Sequence, residues 1–359
     1  MKRLGDIATY INGYAFKPEQ WSTKGLPIIR IQNLNNDKVE YNYFNDKIDE
    51  KYIVEKGDVL ISWSASIGVY EWNKNNAVLN QHIFKVVFDK ETIDKRYFKY
   101  IVSLALNKAV KFMHGSTMKH ITKKYFDEIK IPIINIDRQK KIGALLDKSQ
   151  ELIDKRKAQI EDLDELVKSK FIEMFGNPIT NSKNIKVKNF EDVIRLQRGF
   201  DLPTYARDTS GKINVWGANG ILSKHNDYKI NEPGVITGRS GSLGNVYYTM
   251  EPYWPLNTTL FSKDTFGNNV IYLTYLLRFY KLNRFANGTG VPTLNRNLLD
   301  GQKIIDVPLE LQNQFADFVK QVDKLKFEME QNLKELEDNF SSLMQRAFKG
   351  ELFNEQNIK

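Results

Sequence analysis

The chain contains no cysteine. That absence excludes disulfides, thiolate metal sites and cysteine nucleophiles together, and it fits a reducing cytoplasm. Histidine is scarce too: His82, His114, His120 and His225 are the four in 359 residues, and no spacing among them puts two ligands on one helical turn. Metal ligation is therefore not expected. No apolar run reaches the ~18 residues of a membrane span, and Met1-Lys2-Arg3-Leu4-Gly5-Asp6 has no apolar h-region, so neither insertion nor secretion is expected. Negative charge is the minority sign. The 44 Asp and Glu against 53 Lys and Arg leave a formal charge of +9, which favours a polyanionic partner.

Catalytic signatures are missing as well. There is no Asn-Pro-Pro-aromatic or Asp-Pro-Pro-aromatic run for adenine methylation, and Asn177-Pro178-Ile179 reads as a helix-stop turn. Gly238-Arg239-Ser240-Gly241-Ser242-Leu243-Gly244 is glycine-rich but matches neither the P-loop nor the dinucleotide fingerprint. No carboxylate-lysine cluster suggests a nuclease. No catalytic residue and no cofactor is expected in this chain.

What the chain does have is a long internal repeat, which constrains architecture before any motif is interpreted. Pro132 and Pro308 are 176 residues apart, and the same offset pairs Leu146 with Val322, Ile153 with Met329, Ile160 with Leu336, and Val167 with Leu343. Within each series the apolar positions are seven apart, so both segments are predicted to be long helices seeking a helical partner. Arg156, Lys170, Asn332 and Asn339 fall at seam positions, where polar side chains fix register. A helix from about 138 to 175 would span roughly 57 Å, longer than a compact domain needs. The bland alternative is two amphipathic helices on separate cores. Before each helix lies a stretch with shared punctuation. Val59-Leu60-Ile61-Ser62 with Ser64, Ser66 and Gly68 recurs as Val235-Ile236-Thr237-Gly238 with Ser240, Ser242 and Gly244. Each is predicted to be a strand followed by a Gly/Ser turn. The expected fold class is α+β: two globular α/β domains alternating with two long helices that pair as an antiparallel coiled coil, in a pseudo-twofold repeat.

This pattern resembles the specificity subunits of type I restriction-modification systems. The resemblance is carried by Leu4-Gly5-Asp6-Ile7 and Phe190-Glu191-Asp192-Val193, followed by Gly13-Tyr14-Ala15-Phe16 and Gly199-Phe200. It continues in the Ile131-Pro132 and Val307-Pro308 strand exits with Gln139 and Gln312 at the helix starts. It closes on Phe171-Ile172-Glu173-Met174-Phe175-Gly176-Asn177-Pro178 and Arg346-Ala347-Phe348-Lys349-Gly350-Glu351-Leu352. Leu4 opens the first domain without the longer leading segment of many relatives, which leaves open how tightly the two ends close. The resemblance implies a non-catalytic subunit with target-recognition domains at 1–131 and 179–307, a central helical spacer at 132–178 and a C-terminal one at 308–359. It also implies the partners: double-stranded DNA with a bipartite target, two methyltransferase subunits on the helices, and restriction subunits through the complex. S-adenosylmethionine would belong to the methyltransferase, and ATP with Mg to the restriction partner. The rival readings are a coiled-coil scaffold or orphan specificity protein binding protein partners only, and a standalone nuclease or methyltransferase with degenerate motifs.

Reading DNA requires Arg, Lys, Asn, Gln, Ser or Thr at base edges and similar donors at phosphates. In the first domain the candidates are Ser62, Trp63, Ser64 and Ser66, then Asn80, Gln81 and His82, then Ser116, Thr117, Lys119 and His120. In the second they are Arg239, Ser240 and Ser242, then Asn257 and Thr258, then Thr289, Thr293, Asn295 and Arg296. Arg239 and Arg296 are the strongest guanine or phosphate candidates. The plain alternatives are ordinary turns for the Gly-Ser loops, strand-edge roles for Asn80 and Asn257, and packing for Trp63, Trp216 and Trp254. The Lys119 to Lys124 turn reads as a phosphate-binding surface or a solvated face. The expected interface between helices comprises Leu146, Ile153, Ile160 and Val167 with Val322, Met329, Leu336 and Leu343.

Overall fold

A computed structural model describes residues 1–36, 38–112, 121–287 and 292–353. The fold is mixed α/β, and the chain divides into two compact units: Met1–Lys157 with Asn332–Lys359, and Ala158–Gln331. Among the described residues no helix is long and apolar enough to cross a membrane.

The first unit is built on strands β1 (Thr9–Asn12), β2 (Leu26–Ile29), β3 (Val59–Ser62), β4 (Gly68–Glu71), β5 (Ala77–Leu79) and β6 (Ile83–Val87). An antiparallel sheet runs in the order β1-β6-β3-β4, while β2 and β5 pair in parallel at the centre of a second, four-stranded sheet. Strand β3 is buried throughout, and its alternation explains how two layers share it. Val59 and Ile61 face the core of helix α1 (Lys95–Phe112), whereas Leu60 joins Ile29, Leu79 and Trp72 under the second sheet. A 40-residue helix, α2 (Ile136–Phe175), follows.

The second unit repeats this plan with β7 (Arg195–Arg198), β8 (Ile213–Gly217), β9 (Gly234–Gly238), β10 (Val246–Thr249), β11 (Tyr253–Pro255) and β12 (Thr259–Asp264). Its antiparallel sheet has the order β7-β12-β9-β10, and β8 pairs in parallel with β11. Val235 faces helix α3 (Val270–Tyr280), and Ile236 faces Trp216 and Tyr253. The unit leads to helix α4 (Leu309–Phe348), also of 40 residues.

The repeat of the helices has a different offset from the one the apolar pattern suggests. Both ends of α2 and α4 differ by 173 (309 − 136 and 348 − 175), not 176. Gln139 and Gln312 pin this register. Gln139 is 1 % exposed; its Oε1 accepts from the Asp94 N–H at 3.0 Å and its Nε2 donates to the Ile134 carbonyl at 2.7 Å. Gln312, equally buried, accepts from the Asn269 N–H at 2.8 Å and donates to the Val307 carbonyl at 2.7 Å. Asp94 and Asn269 in turn cap α1 and α3 through their side-chain oxygens. Each glutamine thus ties the start of a long helix to the cap of its domain's helix. A slip of three residues exchanges the two apolar positions of a heptad, so periodicity alone reads either offset.

Within the first unit, the beginning of α2 lies against the end of α4. Ile142 and Leu146 share a core with Met344, Ala347 and Leu352, and Leu343 packs on it half-buried. The Arg138 guanidinium donates to the carbonyls of Gly350 and Leu352 at 3.0 and 2.8 Å. Within the second unit, the end of α2 lies against the beginning of α4. Val167, Phe171 and Phe175 share a core with Phe315, Val319 and Val322, with Met329 packed against it. Ile153 is buried, whereas Ile160 and Leu336 are half-buried. Asn339 is exposed, so it sits outside any seam, and Lys170 pairs with Glu173 of its own helix.

Candidate nucleic-acid interface

At the end of β3 three chain segments converge on one residue. The Trp63 N–H donates to the His82 carbonyl at 3.4 Å, and the Trp63 carbonyl accepts from the Ile121 N–H at 3.1 Å. At the end of β9 the Arg239 N–H donates to the Thr258 carbonyl at 2.8 Å, and its carbonyl accepts from the Leu294 N–H at 2.8 Å. The same two backbone bonds therefore knit together, in each unit, the segments in which the sequence predicts DNA-binding residues. Trp63 and Arg239 are topological equivalents.

A second junction fixes the neighbouring strand ends. Gly13 and Tyr14 donate to the carbonyls of Ile83 and Leu79, and Gly199 and Phe200 donate to those of Thr259 and Pro255. At both glycines an added Cβ would overlap a carbonyl oxygen, of Asn80 or of Leu256. The glycines are there because two backbones touch.

The side chains at these junctions sort into those bonded inward and those facing out. Ser62 is fully buried, and its hydroxyl donates to the Ser66 carbonyl at 2.7 Å, closing the turn. It offers nothing to a base, which corrects the sequence expectation. Asn80 Oδ1 accepts from the Gln81 N–H at 2.8 Å, and Asn295 caps a short helical turn by accepting from the Asn297 N–H at 3.1 Å. The Asn257 amide donates to Asp201. Each of these three spends one end of its amide on the local fold and, unlike Ser62, is not buried. Trp63 packs at 5.7 Å on Phe84 and donates from Nε1 to Asn12 at 3.3 Å. Lys123, from the lysine-rich turn, is held by Asp127 at 2.7 Å. By contrast, Ser66, Ser242 and Thr258 are exposed, and Ser64, Gln81, His82, Arg239, Ser240 and Thr293 are half-buried at the same rims. Ser116, Thr117, Lys119, His120 and Thr289 lie outside the described residues.

Arg296 differs from Arg239 in its surroundings. Its nearest acceptor is the Leu196 carbonyl at 3.5 Å, and it lines a cavity of about 260 Å³ with Glu191, Arg195 and Asp300. Glu191 accepts the Gly301 N–H at 2.7 Å, which lowers its carboxyl pKa and keeps it ionised. The carboxylates of Glu191 and Asp300 are balanced there by Arg195 and Arg296, and Arg198 and Lys263 line an adjoining cavity with Arg296. Arg239 has no carboxylate neighbour among its described contacts.

The sequence reading missed Arg30 and Gln32. They line a cavity of about 210 Å³ with Asn80 and His82, formed where β2 ends beside the turn between β5 and β6. Arg30 Nε and His82 Nδ1 are buried there without a partner. The available signal was position: Arg30 directly follows the apolar strand Leu26-Pro27-Ile28-Ile29. A wider cavity of about 750 Å³, with Tyr41, Trp72 and Lys74 in its wall, opens at the start of β2, away from these junctions. Among the described residues no group of three or more His, Asp or Glu could hold a metal ion.

Comparison with known proteins decides the family. The type I restriction modification DNA specificity domain matches residues 1–162 and 182–338. The chain belongs to the type I restriction-modification DNA specificity family. Relatives include the MjaVIII specificity subunit of Methanocaldococcus jannaschii, 22 % identical over 90 % of this chain and 85 % of that protein. The EcoBI specificity subunit of Escherichia coli is 25 % identical over 46 % of this chain, a match spanning 35 % of that longer protein. The S subunit from M. genitalium has a similar fold, with a TM-score of 0.60 at 17 % identity over 97 % of this chain and 95 % of that one. The function of a specificity-family chain is recognition of a DNA target, and its place in a type I system is that of a non-catalytic subunit.

Proposed function

We propose that each globular domain reads one half of an asymmetric, bipartite DNA target, with domain limits at 1–131 and 179–307. The observation that carries this reading is the pair of matching junctions around Trp63 and Arg239, built on the same backbone bonds and filled with different side chains. One skeleton with two sets of rim residues suits two different half-sites. Helices α2 and α4 form an antiparallel coiled coil that keeps the halves at a set spacing and docks two methyltransferase subunits. Support comes from the apolar contacts of each end of α2 with the opposite end of α4. Restriction subunits join through that complex. S-adenosylmethionine resides in the methyltransferase and ATP with Mg in the restriction partner, since modifying an adenine requires its extrusion into an enzyme pocket. The complex works in the cytoplasm, where its DNA is.

Exchange of residues 179–307 for the corresponding domain of another family member tests the modular reading. Expressed with the methyltransferase, the chimera is expected to methylate a site with one half unchanged and the other replaced. A change in both halves would contradict it.

A further inference from the structure

Two arginines without a hydrogen bond or ion pair to the described residues, one in each domain, stand at different points of the same skeleton. The Ile29 carbonyl accepts from the Asn80 N–H at 3.3 Å, and the Trp216 carbonyl accepts from the Leu256 N–H at 2.9 Å, so Ile29 and Trp216 are equivalent. The next residue is Arg30 in the first domain and Gly217 in the second. At the other junction the order is reversed: Trp63 stands in the first domain and Arg239 in the second. Of these two positions, each domain therefore carries an arginine at one, where its counterpart has none.

Neither guanidinium makes a hydrogen bond or ion pair with the described residues. Arg30 leans over the Trp21 ring at 5.5 Å, which steadies its stem, and its Nε faces the cavity shared with Gln32, Asn80 and His82 without a partner. Arg239 is held at its backbone from both sides by Thr258 and Leu294. Half-buried stems on backbone fixed by the sheet give a guanidinium little freedom to lose on binding. A planar fork so placed matches the O6 and N7 acceptors of guanine, to which arginine binds in bidentate fashion.

We infer that Arg30 and Arg239 are the specificity-determining residues for one guanine in each half-site, reached from different strand ends. This rests on the half-site reading proposed above. The two guanines then occupy positions that the pseudo-twofold repeat does not relate, and this offset is a source of the target's asymmetry.

Selection from a randomised duplex pool, using the full chain with its methyltransferase subunit, separates the possibilities. Arg30→Ala should relax one guanine position in one half-site by about 5- to 150-fold, and Arg239→Ala one in the other half-site by a similar factor. The untouched half-site, still selected, reports that each variant is folded. Arg→Lys variants should retain overall affinity while losing the base preference. Uniform weakening with the motif intact would make these residues phosphate contacts and overturn the inference, as would both variants relaxing the same half. A wild-type complex that selects no sequence would overturn the half-site reading itself, and this inference with it.

Discussion

The two globular domains agree in their backbone bonds far more closely than in their side chains. Gly13 and Gly199, Gln139 and Gln312, and the junctions at Trp63 and Arg239 repeat the same donors and acceptors. The cavity around Arg30 and His82, however, has no counterpart side chain at Gly217. The difference teaches where selection for structure stops. Positions whose backbone groups are buried must be satisfied in one way, while rim side chains are free to vary with the ligand.

The comparison can be broken most forcefully at the glycines. Gly13→Ala and Gly199→Ala should each cost about 3 kcal/mol or more, since the added Cβ meets backbone that cannot move aside. Thermal unfolding of the two variants should agree; a benign change at only one site would end the equivalence. At the helix starts, Gln139→Ala and Gln312→Ala should each cost about 2–3 kcal/mol, because each removes a buried side chain and leaves an N–H and a carbonyl without their partners. Denaturant midpoints shifting by unequal amounts would refute the 173-residue register. The junction residues should separate the domains. Trp63→Ala should lose about 1.5–3 kcal/mol of packing, whereas Arg239→Ala should stay within about 0.5 kcal/mol while changing DNA selectivity. Equal destabilisation would mean that Arg239 is structural. The smallest effects belong to the pairs between the long helices, Lys157 with Glu337 at 2.8 Å and Lys326 with Asp164 at 2.7 Å. Removal of either should cost about 0.2–1 kcal/mol, fading as salt rises. A salt-independent loss would point to burial instead.

The sequence carries much of this architecture openly. Helix α2 was expected over about 138 to 175 and runs Ile136–Phe175. The strands at Val59 and Val235 stand at the 176 offset as read. The offset is not uniform, however. It is 186 between Gly13 and Gly199, so the first domain carries 186 − 176 = 10 additional residues before β3, and it is 173 in the helices. Heptad spacing is blind to a three-residue slip, and only the hydrogen bonds of Gln139 and Gln312 resolve it. Arg30 escaped notice for a related reason. It lies in the stretch where the halves differ in length, next to no glycine or serine cluster, and its cavity forms only when β2 and β5 pair. Ser62 was misread because a serine after a strand looks the same in sequence whether its hydroxyl faces solvent or closes its own turn.

The most direct measurement is genome-wide mapping of N6-methyladenine in cells expressing this chain with its methyltransferase partner, against cells expressing the partner alone. Expected is a new two-part motif that appears only with the chain and whose halves respond separately to changes in the first and second domains. Identical methylation with and without the chain, from folded protein and an active partner, would contradict its role as the sequence reader.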